Sequence, residues 1–452
     1  MGGFAALLQC PACGRGRLVE GDAAERCVAC GVTFPRVGGL PWLYPDPARS
    51  LGEWRNRLGL YLDEMTAAAH AARLDFGSAI SPLTRRRVAA LAEAYGGQVR
   101  RVAELLAPLA LAHLPLGHAT PLAFGTRLPL GQDLHSYYPN LHRDWAWGDG
   151  ENNDAHRLVA GALGRPRPRL LVLGSGAGRL AYDLHQSGAS ELTVALDINP
   201  MLMLAAERIV RGGAVDLYEF PIAPRTAADA AVLRRLAAPV PARAGLHLVL
   251  ADAWHAPFAA QSFDAVVTPW LIDIVEPAPA AVAAAVNRLL APGGRWVNFG
   301  SLCFPWRRPS MRPSAEELLE IVASAGFSVE DRSDQDLAYM HSPASRHSRI
   351  ERVFTFAADK VRRGPRAATE PSPTAWLEDQ DLPVPQHDGL ALAAEASRIR
   401  TIVLSLVDGQ RSMAELVRIV VEQGLLPPAE ATSAVRDLLE RLHDDAARSR
   451  GA

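Results

Sequence analysis

The sequence predicts an α/β protein organised around a doubly wound parallel sheet, and three observations in the middle of the chain carry this prediction. A short apolar run, LLVLG, turns through Gly174, Gly176 and Gly178 into a segment that is compatible with a helix. A second apolar run ends at Asp197. Further apolar runs alternate with helical segments as far as residue 300. This order is typical of a parallel sheet with helices on both faces.

The glycine turn is the first candidate binding site. Gly174 and Gly176 have no side chains, so the backbone can approach a ligand closely, and the helix that follows Gly178 begins with unpaired N–H groups. Asp197 lies about 20 residues further on, where an acidic residue binds ribose hydroxyls in such folds. A sharp strand-to-helix turn needs glycine even without a ligand, but the flanking strands and Asp197 favour a ligand that contains adenosine.

Length and composition describe a folded chain of roughly two to four domains. The chain has 452 residues, of which 49% are hydrophobic and 21% charged, and its formal net charge is -2. This charge does not favour binding to nucleic acids or to anionic membranes. No apolar run reaches the roughly 18 residues of a membrane span, and the N-terminal residues do not resemble a signal peptide. We therefore expect a cytoplasmic protein.

Residues 1–50 are predicted to form a zinc ribbon. They contain four of the five cysteines, Cys10, Cys13, Cys27 and Cys30, in two C-x-x-C pairs. Four thiolates at the tips of two turns suit a tetrahedral zinc site, and disulfides are the poorer explanation in the cytoplasm. Because so short a segment cannot bury much core, a structural zinc ion is expected to supply its folding energy.

Residues 51–134 show helical periodicity and are predicted to form a helical cap. The next segment, HSYYPNLHRDWAWGDGENN at residues 135–153, mixes aromatic, basic and amide groups. Trp145 is open to two interpretations, a core residue or part of a cofactor-binding segment. Arg143 and Asp144 could be an ordinary surface ion pair, but an arginine can also pair with the carboxylate of a ligand.

The third and fourth predicted strands end in residues that suit a binding site. Asp252 and Ala253 follow the third strand, and Pro269 and Asp273 lie at the end of the fourth. Doubly wound folds bind ligands at the carboxyl ends of their strands. Asp252 is therefore predicted to bind the amino group of an adenine. For Asp273, capping of a following helix is the alternative interpretation.

Two classes of enzyme use such a glycine turn, nicotinamide-dependent oxidoreductases and S-adenosylmethionine-dependent methyltransferases. Three features favour methyl transfer. The first is the LAPGGRW turn before the fifth strand, and the second is the position of Asp252. The third is a predicted strand pair near Leu337–Met340 and Val353–Ala358, which fits the reversed hairpin that closes a methyltransferase sheet and that dehydrogenases lack. The predicted cofactor is S-adenosylmethionine.

Residues 135–360 resemble the carnosine N-methyltransferase family in its bacterial relatives. The matching stretches are HRDWAWGDGENN, VLGSGAGRLAYDL, VVTPWLID, GGRWVNFGSLCF and VFTFAADK, together with Tyr339. The resemblance implies a class I methyltransferase fold with a Rossmann-like, seven-stranded sheet and S-adenosylmethionine as cofactor. It also implies roles for particular residues. Arg143, Asp144 and Trp145 would belong to a segment on the cofactor side, and the three glycines would form the cofactor loop. Asp197 would bind the ribose, and Asp273 would lie on the substrate side.

One departure bears on the substrate. The carnosine enzymes have a histidine that helps to hold the substrate's imidazole, and Pro305 stands at its place. Carnosine itself is therefore not expected, and the predicted acceptor is a nitrogen in an imidazole, an amine or a peptide. Since the sulfonium methyl group is already activated, the protein has mainly to align the nucleophile. Asp273 is the predicted acceptor of its proton, and Tyr339 the orienting hydroxyl.

The two ends of the chain resemble other families. CPAC…CVACGVTFPRVGGLPWL resembles the zinc-ribbon subunit that binds and activates several tRNA and protein methyltransferases, which implies a domain covering an apolar face of the methyltransferase. Residues 361–385 read as a linker. Within residues 386–452, VLSLVDGQRSMAELV…AVRDLLERL resembles the winged-helix peptide chaperone of pyrroloquinoline-quinone biosynthesis. That resemblance implies a precursor-peptide or protein partner, and a generic helical or winged-helix packing module is the alternative.

The primary hypothesis is an S-adenosylmethionine-dependent methyltransferase that acts on a small molecule or a peptide. Two alternatives stay open at the level of the sequence. One is a non-catalytic scaffold in which a degenerate methyltransferase fold joins two binding modules. The other is a nicotinamide-dependent oxidoreductase.

Overall fold

A computed structural model describes most of the chain. The described residues are 3–21, 23–78, 81–111, 134–275, 278–304, 309–364, 381–384, 386 and 388–450. The chain divides into two compact units, Met1–Ala367 and Ala368–Ala452. Pro305 and residues 365–380 of the expected linker lie outside the described residues.

The N-terminal ribbon is a small antiparallel sheet whose four strands pair in chain order. Its strands are β1 (Leu18–Glu20), β2 (Ala24–Cys27), β3 (Thr33–Val37) and β4 (Leu40–Pro41). The chain then leaves the ribbon through Trp42, Leu43 and Tyr44, which are all buried. The ribbon side chains therefore share a core with the main sheet of the same unit.

Two long helices follow the ribbon, α1 (Pro47–Asp75) and α2 (Pro82–Leu105). Each begins at a capping side chain followed by proline. Asp46 accepts a hydrogen bond from Arg49 N, and Ser81 accepts one from Thr84 N. Such caps satisfy N–H groups that have no partner inside the helix. The predicted helical periodicity of residues 51–105 thus corresponds to two packed helices.

A seven-stranded sheet forms the centre of the first unit. Its strands are β5 (Arg169–Leu173), β6 (Leu192–Asp197), β9 (Leu246–Leu250), β10 (Phe263–Pro269), β11 (Leu290–Gly300), β12 (Phe327–Tyr339) and β13 (Arg349–Lys360). They are ordered β12-β13-β11-β10-β5-β6-β9. Only β13 runs against its neighbours. The predicted α/β fold with a reversed hairpin at one edge is therefore confirmed.

Helices cover both faces of this sheet, because its central strands β5, β6, β9 and β10 are almost continuously apolar and need burial on both sides. The helices that follow α2 are α3 (Leu134–His142), α4 (Asp149–Leu163), α5 (Arg179–Gln186), α6 (Pro200–Val210), α7 (Pro279–Leu289) and α8 (Ala315–Ser324). The buried residues form two large clusters, one on each side of the sheet.

A two-stranded hairpin between α6 and β9 was not expected from the sequence. It consists of β7 (Ala214–Glu219) and β8 (Val232–Ala237). The hairpin packs against α2, where Gln98 accepts a hydrogen bond from Tyr218 N at 2.9 Å. β7 alternates between buried and partly exposed residues, and β8 buries only Leu236, so both lack the apolar runs that marked the strands of the main sheet.

The second unit contains three helices, α9 (Asp388–Ser405), α10 (Met413–Glu422) and α11 (Pro428–Arg450). No strand occurs among residues 388–450. Of the two predicted forms, a helical module and a winged helix, these residues therefore match the helical module. The DGxRS turn has a clear structural basis. Asp408 accepts hydrogen bonds from Gln410 N and Arg411 N, and Ser412 caps α10.

Within the described ranges, no helix combines sufficient length with sufficient apolar character to cross a bilayer.

Candidate functional site

The glycine loop lies at the switch point of the sheet. β5 and β10 are neighbours, and the strand order runs in opposite directions on either side of them, which creates a crevice at their carboxyl ends. Gly174 has φ of 70°, and a Cβ at this position would lie 2.7 Å from Leu271 Cδ1. Gly176 has φ of 57° and open space where a Cβ would be. The loop therefore packs closely at Gly174 and leaves room beside its backbone at Gly176.

Asp197 fastens this loop to the end of the next strand. Its Oδ2 accepts a hydrogen bond from Gly176 N at 2.7 Å, and its Oδ1 accepts one from Asn199 N at 2.8 Å. Burial raises the pKa of Asp197 to about 6, although the neighbouring backbone N–H groups oppose this shift. A carboxylate is thus held beside the glycine loop in a partly dry position.

Asp252 lies after β9, the strand beside β6. Its Oδ1 accepts a hydrogen bond from Trp254 N, and its Oδ2 lies 2.9 Å from His255 Nδ1. The side chain is buried and caps the short helix that begins at Ala253. Asp197 and Asp252 therefore follow neighbouring strands at the same edge of the sheet as the glycines.

The 143–147 segment is a single turn of π-helix between α3 and α4. Such turns are rare and often occur at functional sites. Trp145 Nε1 donates to Ala177 O at 2.8 Å, inside the glycine loop. The Arg179 guanidinium lies 5.4 Å from the Trp145 ring centroid, so the first residue of α5 packs on this tryptophan. The π-helical turn and the glycine loop are thus held together by a hydrogen bond and by side-chain packing.

Arg143 connects this segment to the hairpin of the sheet. Its Nε and Nη2 both donate to Asp144 Oδ1, at 2.8 and 2.7 Å. Its guanidinium also lies 5.0 Å from the centroid of the Tyr339 ring. Burial is the largest single influence and opposes the charge of Arg143, but Asp144, Tyr339 and Glu151 together outweigh it and raise the pKa of the guanidinium. The pair is therefore a partly buried ion pair and not a solvated surface pair.

Tyr339 ends β12 and faces the end of β10. The ring of Trp270, which follows Pro269, lies 4.9 Å from the Tyr339 ring. A second guanidinium, that of Arg349, lies 4.7 Å from the same ring. The next two residues along the chain are held by α4, because Glu151 accepts hydrogen bonds from the backbone N–H groups of Met340 and His341.

Asp273 occupies a buried position after β10, with 3% of its surface exposed. It does not cap α7, because that helix begins at Pro279 with Ala278 at its N-cap. Instead its Oδ2 accepts a hydrogen bond from Cys303 N at 2.8 Å, in the segment after β11. Burial raises the pKa of Asp273, and the N–H of Cys303 opposes the shift.

Unusual backbone conformations cluster at this edge of the sheet. Trp270, Leu302 and Met340 follow β10, β11 and β12, and each has a φ between 50° and 58°. Bulky residues rarely adopt this left-handed region, and residues held in it concentrate at ligand-binding and catalytic sites.

The four cysteines of the ribbon form a cluster in which the sulfur atoms lie within 4.8 Å of one another. Cys10 and Cys30 are separated by 3.7 Å, and Cys13 and Cys27 by 3.8 Å. Ligands of a tetrahedral zinc ion, each at about 2.3 Å from the metal, lie about 3.8 Å apart. A disulfide needs about 2.05 Å. The spacing therefore fits a metal site and excludes disulfides between these pairs.

The strand order, the reversed β13 and the glycine loop at the switch point define a class I S-adenosylmethionine-dependent methyltransferase domain. The sequence model of the carnosine N-methyltransferase family matches residues 138–360, which form this domain. The family resemblance predicted from the separated motifs is confirmed for this region, and the nicotinamide-dependent alternative is not supported.

Comparison with solved structures gives distant similarities. The N-methyltransferase NodS from Bradyrhizobium japonicum WM9 in complex with S-adenosyl-l-homocysteine is 15% identical, with a TM-score of 0.34 over 50% of this chain and 99% of that chain. A complex between the Haloferax volcanii Trm112 methyltransferase activator and a candidate methyltransferase is 15% identical, with a TM-score of 0.31 over 48% of this chain and 96% of that chain. No curated protein matches the chain.

Several residues around the site were not predicted from the sequence. Tyr44 reaches the site from the end of the ribbon, and Tyr137 packs at its side from α3. Glu151 holds the backbone after Tyr339. These residues belong to no motif with a fixed spacing, and their positions depend on long-range packing. Only the mixture of aromatic and acidic residues in the 135–153 segment gave a hint of Tyr137 and Glu151.

Proposed function

We propose that the domain transfers the methyl group of S-adenosylmethionine to a nitrogen of an imidazole, an amine or a peptide. The observation that carries this proposal is the buried carboxylate of Asp273 in the segment that follows β10, a strand that borders the crevice of the glycine loop. Such a carboxylate can hold an N–H of the acceptor and receive its proton. The name of the matched family supports nitrogen as the acceptor atom.

The residues at the crevice fit the proposed cofactor. Gly176 leaves open space beside its backbone, and Asp197 presents a buried carboxylate for the ribose hydroxyls. Asp252 and Ala253 are assigned to the adenine, and Pro269 to the wall at the end of β10. Arg143 and Trp145 are assigned to the methionine side of the cofactor. When bound, the cofactor supplies an activated methyl group.

Asp273 and Tyr339 are the proposed acceptor-side residues. Burial raises the pKa of Asp273, which brings a carboxyl group closer to the range in which it can exchange protons near neutral pH. Tyr339 is oriented by two guanidiniums and by the ring of Trp270. The protein thus aligns the acceptor and takes up its proton, and the positive charge near Tyr339 favours an acceptor nitrogen in its neutral form.

Replacement of Asp273 by asparagine tests this assignment. The Asp273→Asn chain keeps the shape of the side chain and an oxygen for the N–H of Cys303, but it loses the base. We expect S-adenosylhomocysteine to bind with unchanged affinity in isothermal titration, while turnover falls by about 10²- to 10⁴-fold. As a control, Asp197→Ala combined with Gly176→Val should abolish binding.

The outcomes separate the hypotheses. Persistent turnover of the Asp273→Asn chain would mean that this carboxylate only holds the segment after β11. Binding of S-adenosylhomocysteine by the unmodified chain without methylation of any amine, imidazole or peptide would favour the non-catalytic scaffold.

The two remaining parts of the chain are proposed to support this activity. We propose zinc as the metal of the four-cysteine cluster. The backbone N–H groups of Gly16 and Arg15 lower the pKa of Cys13 to about 6, while burial raises that of Cys10 to about 12. A bound cation would offset the free-energy cost of ionising the Cys10 thiol as well as that of Cys13. For the C-terminal helices we propose recognition of a precursor peptide or protein, supported by the DGxRS turn.

A further inference from the structure

The chain leaves the ribbon along the edge of the methyltransferase sheet. Trp42 forms a parallel bridge with Leu250, the last residue of β9, and Leu43 N donates to Leu250 O at 2.8 Å. Residues 42–44 thus extend the sheet beyond β9 at its carboxyl end. Tyr44 is the residue of this segment that lies furthest toward the crevice, and it precedes the residues 138–360 that match the family.

Tyr44 reaches across the end of β9 to the turn that follows β6. Its hydroxyl donates to Ile198 O at 2.7 Å. Ile198 lies between Asp197 and Asn199, and Asp197 accepts hydrogen bonds from Gly176 N and Asn199 N. The Ile198–Asn199 peptide thus accepts from Tyr44 through its carbonyl and donates to Asp197 through its N–H, so the Tyr44 bond fixes the orientation of one of the peptides that hold the Asp197 carboxylate.

The electrostatic surroundings place Tyr44 close to both acidic residues. Burial raises the pKa of its hydroxyl well above the usual range, and the carboxylates of Asp197 and Asp252 raise it further. The hydroxyl therefore stays protonated and donates to Ile198 O, while the Trp54 side chain is its second hydrogen-bond partner. The carboxylates that are proposed to bind the ribose and the adenine thus both act on the Tyr44 hydroxyl.

We propose that Tyr44 is a positioning residue of the cofactor site, supplied by the ribbon from outside the residues 138–360 that match the family. The proposal rests on the proposed function, because it takes Asp197 and Asp252 as the adenosine-binding carboxylates. It means that the ribbon contributes to cofactor affinity through one defined hydrogen bond. Its effect is expected in binding and not in the chemical step.

Isothermal titration of the zinc-loaded full-length chain with S-adenosylhomocysteine tests the proposal. The Tyr44→Phe chain keeps the ring and loses the hydroxyl, and we expect its dissociation constant to rise about threefold to tenfold, the range for one hydrogen bond. Ser50→Ala is the matched control. It removes the hydroxyl that accepts from Trp42 Nε1 at 2.9 Å on the same segment, and it should leave the affinity unchanged.

Amide hydrogen exchange gives a second readout that a general loss of stability does not reproduce. The Asn199 amide, which donates to Asp197, should exchange faster in the Tyr44→Phe chain than in the Ser50→Ala chain. Equal affinity of Tyr44→Phe and the unmodified chain, or an equal loss in both variants, would overturn the inference alone. Failure of the unmodified chain to bind S-adenosylhomocysteine would overturn the proposed function as well.

Discussion

Asp197 is the residue whose environment most directly determines how the site responds to pH. It is buried, its pKa is raised to about 6, and it accepts two backbone hydrogen bonds. A carboxyl group with a raised pKa binds its proton more tightly in the folded protein. Acidification through pH 6 therefore does not remove stability through this group, but it converts the proposed acceptor of the ribose hydroxyls into a neutral acid.

The consequence is a specific pH dependence of cofactor binding. If only the carboxylate form binds, the dissociation constant for S-adenosylhomocysteine should rise about tenfold between pH 7.5 and pH 5, given a pKa near 6. Isothermal titration across this range measures the effect. The Asp197→Asn chain, which cannot titrate here, should bind more weakly and show no such rise. A flat profile for the unmodified chain would remove Asp197 from the ribose site.

Individual residues of the site differ in how far the sequence alone predicts them. Gly174, Gly176 and Asp197 were predictable because a strand-to-helix turn and a strand end impose fixed spacings on them. Tyr44 was not, because its position depends on where an independent segment packs. For Asp273 the pattern could not distinguish a helix cap from a buried carboxylate, since both are short acidic residues after a strand.

The ribbon is tightly packed around its sulfur atoms. A Cβ at Gly16 would lie 2.2 Å from Cys27 Sγ and 2.9 Å from the Cβ of Ala29. Neither neighbour can move without disturbing the cluster, because Cys27 Sγ also accepts hydrogen bonds from the backbone N–H groups of Ala29 and Cys30. Gly16 therefore contributes to the packing of the proposed metal site although it is not a ligand.

Gly16→Ala should lower the zinc content below one ion per chain and reduce the melting temperature, because the added methyl group displaces a proposed ligand. Metal analysis by mass spectrometry and thermal unfolding measure both effects. Gly59→Ala in α1 is the control. A Cβ there meets no atom within 4 Å, and alanine favours a helix over glycine, so zinc content should not change. Full zinc content in the Gly16→Ala chain would contradict the proposed metal site.

Elements differed in how well the sequence predicted them. The five parallel strands were predicted because they are short, apolar and separated by helical segments. The β7–β8 hairpin was missed, because its alternation of buried and exposed residues is weak and it interrupts the regular order. The ribbon strands are too short for a periodic signal, and only the cysteine spacing indicated them.

For the whole molecule, the ribbon, the two long helices and the methyltransferase sheet form one compact unit, Met1–Ala367. The sequence suggested separate domains at its composition changes, but it could not show that Trp42, Leu43 and Tyr44 continue the sheet itself. Such pairing between distant segments depends on the complete fold. The family match covers residues 138–360, so the ribbon adds contacts to the site from outside it.

We propose above all that this chain transfers methyl groups from S-adenosylmethionine to a nitrogen acceptor. The most direct measurement incubates the full-length, zinc-loaded protein with S-adenosylmethionine that carries a labelled methyl group and with pools of amines, imidazoles and peptides. Mass spectrometry then follows the label. We predict a labelled N-methyl product and S-adenosylhomocysteine in equal amounts, both lost in the Asp273→Asn chain. Binding of the cofactor with no labelled product in any pool would contradict the claim.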